Sequence, residues 1–255
     1  MKLFYRETGE GKPIFILHGL FGMSDNWATI GKQLAEKYRV IMPDLRNHGN
    51  SFHHDDWDYD HMAKDILQLA NHLNLGEFIL IGHSMGGKVA MKFAQEHPDL
   101  LEKFIVIDIA PRYYPVHHQT IIKALKSVNI NQIKSRSEAE NQLSQHIGEE
   151  GIRLFLMKNL GRNKEGFYWK FNLNVISENI ENVGEEIPPS TCVVPALFIR
   201  GSESEYINNN DTQEIKGIFS NSMVVTIKNA GHWVHADQPE ALISTLTQFI
   251  DYRPS

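Results

Sequence analysis

Apolar positions in this chain follow two rhythms that alternate along it. Ile14 to Leu17, Val40 to Met42, Phe78 to Ile81, Phe104 to Ile107, Ala196 to Ile199 and Met223 to Ile227 are continuous runs, rich in Ile, Val and Phe and too short for helices. Such runs predict strands buried on both faces. Between them, Met62, Ile66, Leu69, Ala70 and Leu73 recur at helical spacing, as do Leu242, Leu246, Phe249 and Ile250 behind Pro239. A single apolar stripe on each predicts helices that cover the sheet. Strands alternating with amphipathic helices give an α/β class with a mostly parallel central sheet. Leu3 to Arg6 is a further extended segment that turns at Gly9 to Lys12 into the first run, so an antiparallel hairpin is expected at the sheet edge.

The alternation fails between Arg112 and Pro189, where helical stretches such as Ile121 to Val128 and Gly151 to Leu160 occur without a buried strand. Residues 1–111 and 190–255 are therefore read as one core, and 112–189 as a helical insertion that Pro188 and Pro189 end. An insertion leaving the carboxyl edge of a parallel sheet sits over the ligand crevice.

Composition narrows the function classes. With 255 residues the chain is long enough to bury roughly three quarters of its unfolded surface. Its formal charge of -6 lacks the basic footprint of a nucleic-acid or anionic-membrane binder. No segment approaches the ~20 apolar residues of a membrane span, and Met1 to Glu10 lacks a signal-peptide core. With Cys192 as the only cysteine, there is no internal disulfide or cysteine zinc site, so a cytoplasmic protein without membrane insertion is expected. Oligomeric state leaves no readable mark on the chain.

The chemistry begins after the third of the long runs, at Gly82-His83-Ser84-Met85-Gly86-Gly87, followed by a helical stretch from Lys88 to Glu96. A G-x-S-x-G turn between strand and helix strains the serine backbone and exposes its hydroxyl at the helix's amino end. The same residues nearly form a phosphate loop through Gly82, Gly87 and Lys88, but Val89 stands where that loop needs a hydroxyl for magnesium. An acyl-transfer serine needs a base, and His232 in Ala230-Gly231-His232-Trp233 follows the final buried run, as the order serine, acid, histidine requires. The oxyanion donors are expected to be the amides of Met85 and of Leu20, in the loop His18-Gly19-Leu20-Phe21-Gly22. His18, His53, His54, His117, His118 and His235 read as structural or solvated, Asp44, Arg46, Asn47 and His48 as braces of their own loop, and no histidine spacing points to a metal.

Taken together, His18 to Gly22, Asp44-x-Arg46-Asn47-His48-Gly49, Gly82 to Lys88, Ile107-Asp108-Ile109-Ala110-Pro111 and Gly231 to His235 resemble the α/β-hydrolase superfamily, specifically its small bacterial esterases of the YbfF type, related to mammalian abhydrolase-domain proteins. The resemblance spans nearly the whole chain. It implies the α/β-hydrolase fold with a helical cap and a cofactor-free hydrolase of carboxyl esters or acyl thioesters.

One departure is informative. Most of the superfamily places an aspartate in a G-x-x-D turn after the penultimate strand, whereas Gly201-Ser202-Glu203-Ser204 puts Ser204 there. A hydroxyl can orient an imidazole but carries no charge to steady imidazolium. Asp108, ending the strand after the nucleophile strand, is the preferred acid, reaching His232 directly or through Ser204; Glu203 or Glu205, or Ser204 without a charged partner, are the alternatives. Phe21, Tyr113, Tyr114, Phe155, Leu156, Trp169, Phe171 and Trp233 are candidates for the wall of an acyl pocket. Ser84 argues against dehalogenase or epoxide-hydrolase chemistry, which needs a carboxylate there; a carbon-carbon bond hydrolase, lyase or perhydrolase, or a non-catalytic binder, stays as the alternative.

Overall fold

The computed structural model describes residues 2–252, so residues 1 and 253–255 of the expected core lie outside the described residues. Seven strands form one sheet in the order β1-β3-β2-β4-β5-β8-β9. They are β1 (Tyr5–Thr8), β2 (Lys12–Leu17), β3 (Tyr38–Pro43), β4 (Phe78–His83), β5 (Leu101–Ile107), β8 (Ala196–Gly201) and β9 (Ser222–Ile227). All pairings are parallel except that of β1 with β3. The helices of this core are α1 (Ala28–Leu34), α2 (Tyr59–His72), α3 (Met85–Glu96), α8 (Asp211–Ile218), α9 (Val234–Asp237) and α10 (Pro239–Asp251).

The period of two explains why the strands read as unbroken apolar runs. Phe15, Leu17, Phe78, Leu80, Phe104 and Val106 pack on one face with the buried sides of α2 and α3. Their chain neighbours Ile14, Ile16, Ile79, Ile81, Ile105 and Ile107 pack on the other with α1 and α10. Both faces are covered, so alternation with polar residues is lost. α2 starts where the Asp58 side chain accepts the amide of His61, and it turns Met62, Ala63, Ile66, Leu69 and Ala70 inward.

Two strand expectations need correction. The segment after Leu3 forms no hairpin with β2, because both edges of β2 are taken by β3 and β4. Instead the chain crosses at Gly9, packed against the backbone of Ala35 and Tyr38, and β1 pairs with β3. The last run is also not fully buried. β9 is an edge strand with Met223 half exposed.

Between β5 and β8 lie α4 (Gln119–Ser127), α5 (Arg136–Ser144), α6 (Glu150–Met157), α7 (Leu173–Glu178) and a small antiparallel pair, β6 (Leu160–Arg162) with β7 (Phe167–Trp169). The pair was not legible as strands because each has only three residues. The two ends of the inserted segment meet: Tyr114 N donates to Gly184 O at 2.8 Å and Ile187 N to Pro111 O at 2.8 Å. Lys88, fully buried on α3, donates to the carbonyls of Arg112, at 2.9 Å, and of Glu185, tying both crossings to that helix. Burial, with Arg112 nearby, pulls this ammonium's pKa down to about 7. With its nitrogen turned onto backbone carbonyls and Val89 buried beside it, the phosphate-loop rival has no structural basis. No helix among the described residues is long and apolar enough to cross a membrane.

Candidate active site

β4 ends at His83, and the chain turns through Ser84 into α3 with φ 53° and ψ −121°. A non-glycine residue in that region costs about 1–3 kcal/mol and persists only where its surroundings force it. Here Ser84 N is held by Ile107 O at 3.0 Å while Gly82 faces Gly86 so closely that a Cβ on Gly82 would overlap the Gly86 carbonyl. A Cβ on Gly86 would likewise strike the carbonyls of Leu17 and His18. The two glycines thus let the turn close and bring the end of β2 against it.

The Ser84 Oγ lies 3.0 Å from His232 Nε2, and His232 Nδ1 lies 2.8 Å from Asp108 Oδ2. Asp108 is buried, and since a carboxylate only accepts hydrogen bonds, the geometry suits a ring that donates from Nδ1 and accepts the serine hydroxyl at Nε2. Ser204 Oγ donates to the same Oδ2, and Gly201 N donates to Oδ1 at 3.0 Å. Asp108 therefore meets the imidazole directly. Ser204 bonds to the carboxylate rather than to the ring, and Glu203 and Glu205 are exposed.

The amide of Met85, first residue of α3, has no earlier carbonyl within the helix to bond. In the facing loop, Phe21 N donates to His48 Nε2 at 3.2 Å and Gly22 N to Gly19 O at 2.9 Å, so both of these amides are engaged within the core. Phe21 has φ 56°, and its carbonyl accepts Asn159 Nδ2 at 2.7 Å, so the inserted segment holds this loop directly. The 44–48 segment is fixed by Asp44 accepting Ser24 N and Asn50 N, and by a bidentate Arg46–Asp65 pair.

Two buried histidines brace the same loop as neutral rings. Leu45 N donates to His18 Nε2 at 2.9 Å and Phe21 N to His48 Nε2, while the Nδ1 atoms face the carbonyls of Gly19 and Arg46. A proton on either Nε2 would oppose a backbone N–H. Burial lowers the pKa of both, that of His48 to about 3, with His18 nearby adding to the effect. An unfolded histidine takes its proton near 6.5, so between pH 6.5 and 3 the unfolded chain binds more protons and stability falls as pH falls. Well inside that window, which His48 sets, each pH unit removes about 1.4 kcal/mol through the His48 ring, and His18 acts in the same direction. Urea midpoints measured from pH 7.5 to 4.5 are expected to drop steeply, and less steeply in His48→Gln, whose amide oxygen can still accept Phe21 N. Equal slopes in the two proteins would contradict this.

Several neighbours of His232 carried no sequence signal. Tyr206 stacks on its ring at 3.9 Å between centroids, and His83 Nε2 donates to the His232 carbonyl at 2.8 Å. Burial, with His232 and His235 close by, pushes the His83 pKa well below the usual range, so it acts there as a neutral donor. His117 and His118, expected to be structural or solvated, line the cavity at Ser84, as does His235, whose ring stacks on Trp27. Tyr206, His117 and His118 lie in no periodic or motif-like context, and the motif stretches that hold His83 and His235 do not say what those rings touch.

The cavity above Ser84 measures about 220 Å³ and is lined by Phe21, Phe155, Leu156 and Trp233 among others. Three expected wall residues are elsewhere. Tyr113 is half exposed, because Tyr114 takes the inward position with its hydroxyl on Ala110 N and Tyr206 O. Trp169 stacks on Phe171 at the outer end of β7, and both line a separate cleft beside α4 and α7. Among the described residues no cluster of His, Cys, Asp or Glu could hold a metal ion.

Residues 12–132 match the family described as alpha/beta hydrolase fold. The chain is 38% identical to the sn-1-specific diacylglycerol lipase ABHD11 of Danio rerio, over 95% of this chain and 79% of that one. It is 33% identical to the esterase YbfF of Escherichia coli, covering 94% and 92% of the two chains. A solved structure described as a marine microorganism esterase superposes with a TM-score of 0.95 at 44% identity, covering 97% and 99%.

Proposed function

The chain belongs to the α/β-hydrolase family, and from that premise we propose that it is a serine esterase, cleaving carboxyl esters or acyl thioesters of small molecules through an acyl-enzyme on Ser84. The observation that carries the reading is the unbroken line from Ser84 Oγ through His232 to Asp108, at 3.0 and 2.8 Å, at the amino end of α3. The esterase and lipase names of the relatives support the ester as the bond class.

In this reading Ser84 Oγ attacks the acyl carbonyl carbon while its proton passes to His232 Nε2, and the Asp108 carboxylate steadies the imidazolium. The amides of Leu20 and Met85 bond the developing oxyanion, a contribution worth on the order of 3–4 kcal/mol per donor. Collapse breaks the carbon–oxygen or carbon–sulfur bond, and Nε2 returns the proton to the departing alkoxide or thiolate. Water, deprotonated by the same nitrogen, then attacks the acyl-enzyme and releases the acid with Ser84 restored. Residues 1–111 and 190–255 supply this machinery, and 112–189 act as the cap over it.

Treatment with a fluorophosphonate is expected to attach one phosphonyl group, found by peptide mass spectrometry on Ser84. A protein that hydrolyses p-nitrophenyl acetate but is labelled elsewhere, or not at all, would sink the reading.

A further inference from the structure

Ser84 stands between two cavities of unequal size. The larger, about 220 Å³, runs past His232 toward Phe155, Ile121, Ile152 and Trp233. The smaller, about 20 Å³ on the same measure, is lined by Met85, Ile109, Val116 and Val183, with Tyr59 and Tyr114 beside them. A single water needs roughly 10–15 Å³ on that measure, so the smaller cavity takes one or two non-hydrogen atoms. Its walls are largely apolar, with Leu20, His117, His118 and Tyr206 shared with the larger cavity. The Tyr59 hydroxyl is bound to Val183 O at 2.8 Å, and that of Tyr114 is engaged by Ala110 N and Tyr206 O, which leaves ring surface to face the space.

Proton traffic decides which arm of an ester enters which cavity. The leaving oxygen must be within reach of His232 Nε2, so the alcohol arm lies on the side that His232 lines. His232 lines the larger cavity and not the smaller. Met85, the proposed oxyanion donor next to the nucleophile, lines the smaller and not the larger, and Leu20, the other proposed donor, lines both. We infer that the acyl group occupies the small cavity and the alcohol group the large one, making the enzyme selective for acetyl and propionyl esters of larger apolar alcohols. This rests on the esterase reading and adds the shape of the substrate to it.

Methylenes forced into a filled cavity are strongly penalised, whereas those added in an open apolar one are favoured. With p-nitrophenol as the fixed leaving group, kcat/KM is expected to fall at least tenfold from acetate to butyrate and at least a hundredfold to octanoate. With acetate as the fixed acyl group, it is expected to rise threefold or more from ethyl to hexyl acetate. Val116→Ala and Val183→Ala, each checked for an intact urea transition, are expected to raise butyrate relative to acetate at least fivefold. Phe155→Ala is expected to weaken the preference for hexyl acetate and leave the acyl profile unmoved. Octanoate cleaved by the wild type as fast as acetate would overturn the inference without help from any variant. A shift of the acyl profile by Phe155→Ala and not by the valine variants would reverse the two arms and overturn it too. Absence of turnover on every ester would defeat the esterase reading itself and the inference with it.

Discussion

Ser84→Ala is expected to lower kcat/KM for p-nitrophenyl acetate by about 10⁴- to 10⁶-fold while leaving the urea midpoint unchanged or raised. The loss is large because, among the described residues, the Ser84 hydroxyl is the side chain bonded to His232 Nε2, at 3.0 Å. What survives should come from the Leu20 and Met85 amides and from binding, acting on water held by the histidine. Stability should move the other way. The φ of 53° strains any side chain, so the alanine keeps the backbone cost but sheds a partly buried hydroxyl, and neither change removes core packing. Residual turnover within tenfold of the parent protein would mean that another residue forms the acyl-enzyme.

Asp108→Asn is expected to lower kcat by about 10³- to 10⁴-fold with little change in KM. An asparagine amide that donates toward His232 Nδ1 moves the ring's proton to Nε2, where it blocks acceptance from Ser84. Ser204→Ala should cost far less, about tenfold or below, because the carboxylate keeps its charge, its bond to the ring and the Gly201 amide. Glu203→Gln and Glu205→Gln, both on the exposed side of that loop, should stay within twofold. Steady-state kinetics on the four variants checks the ordering. An unaffected Asp108→Asn would reject the acid and leave Ser84 and His232 standing.

The acid shows where sequence reading stopped. The choice among Asp108, Glu203 and Glu205 needed the pairing of β5 with β8, which brings the end of one strand beside the turn of the next. Whether Asp108 acts directly or through Ser204 is a matter of which oxygen a hydroxyl faces, and no spacing encodes that. Tyr206, stacked on His232, sits in a polar loop with no period or motif around it. Trp169 and Tyr113 failed as pocket residues for a related reason: an aromatic in an irregular insertion has no period to say which way it points.

By itself the sequence determined the strands of the core, the amphipathic helices between them and the serine turn with its glycines, because each depends on steric and burial preferences acting within a few neighbouring residues. The pairing of β1 with β3, the carboxylate on His232 and the two unequal cavities at Ser84 were decided only in the folded chain. These are contacts between segments from about 30 to more than 120 residues apart, and their geometry is fixed by packing and hydrogen bonding across the sheet rather than by any local preference.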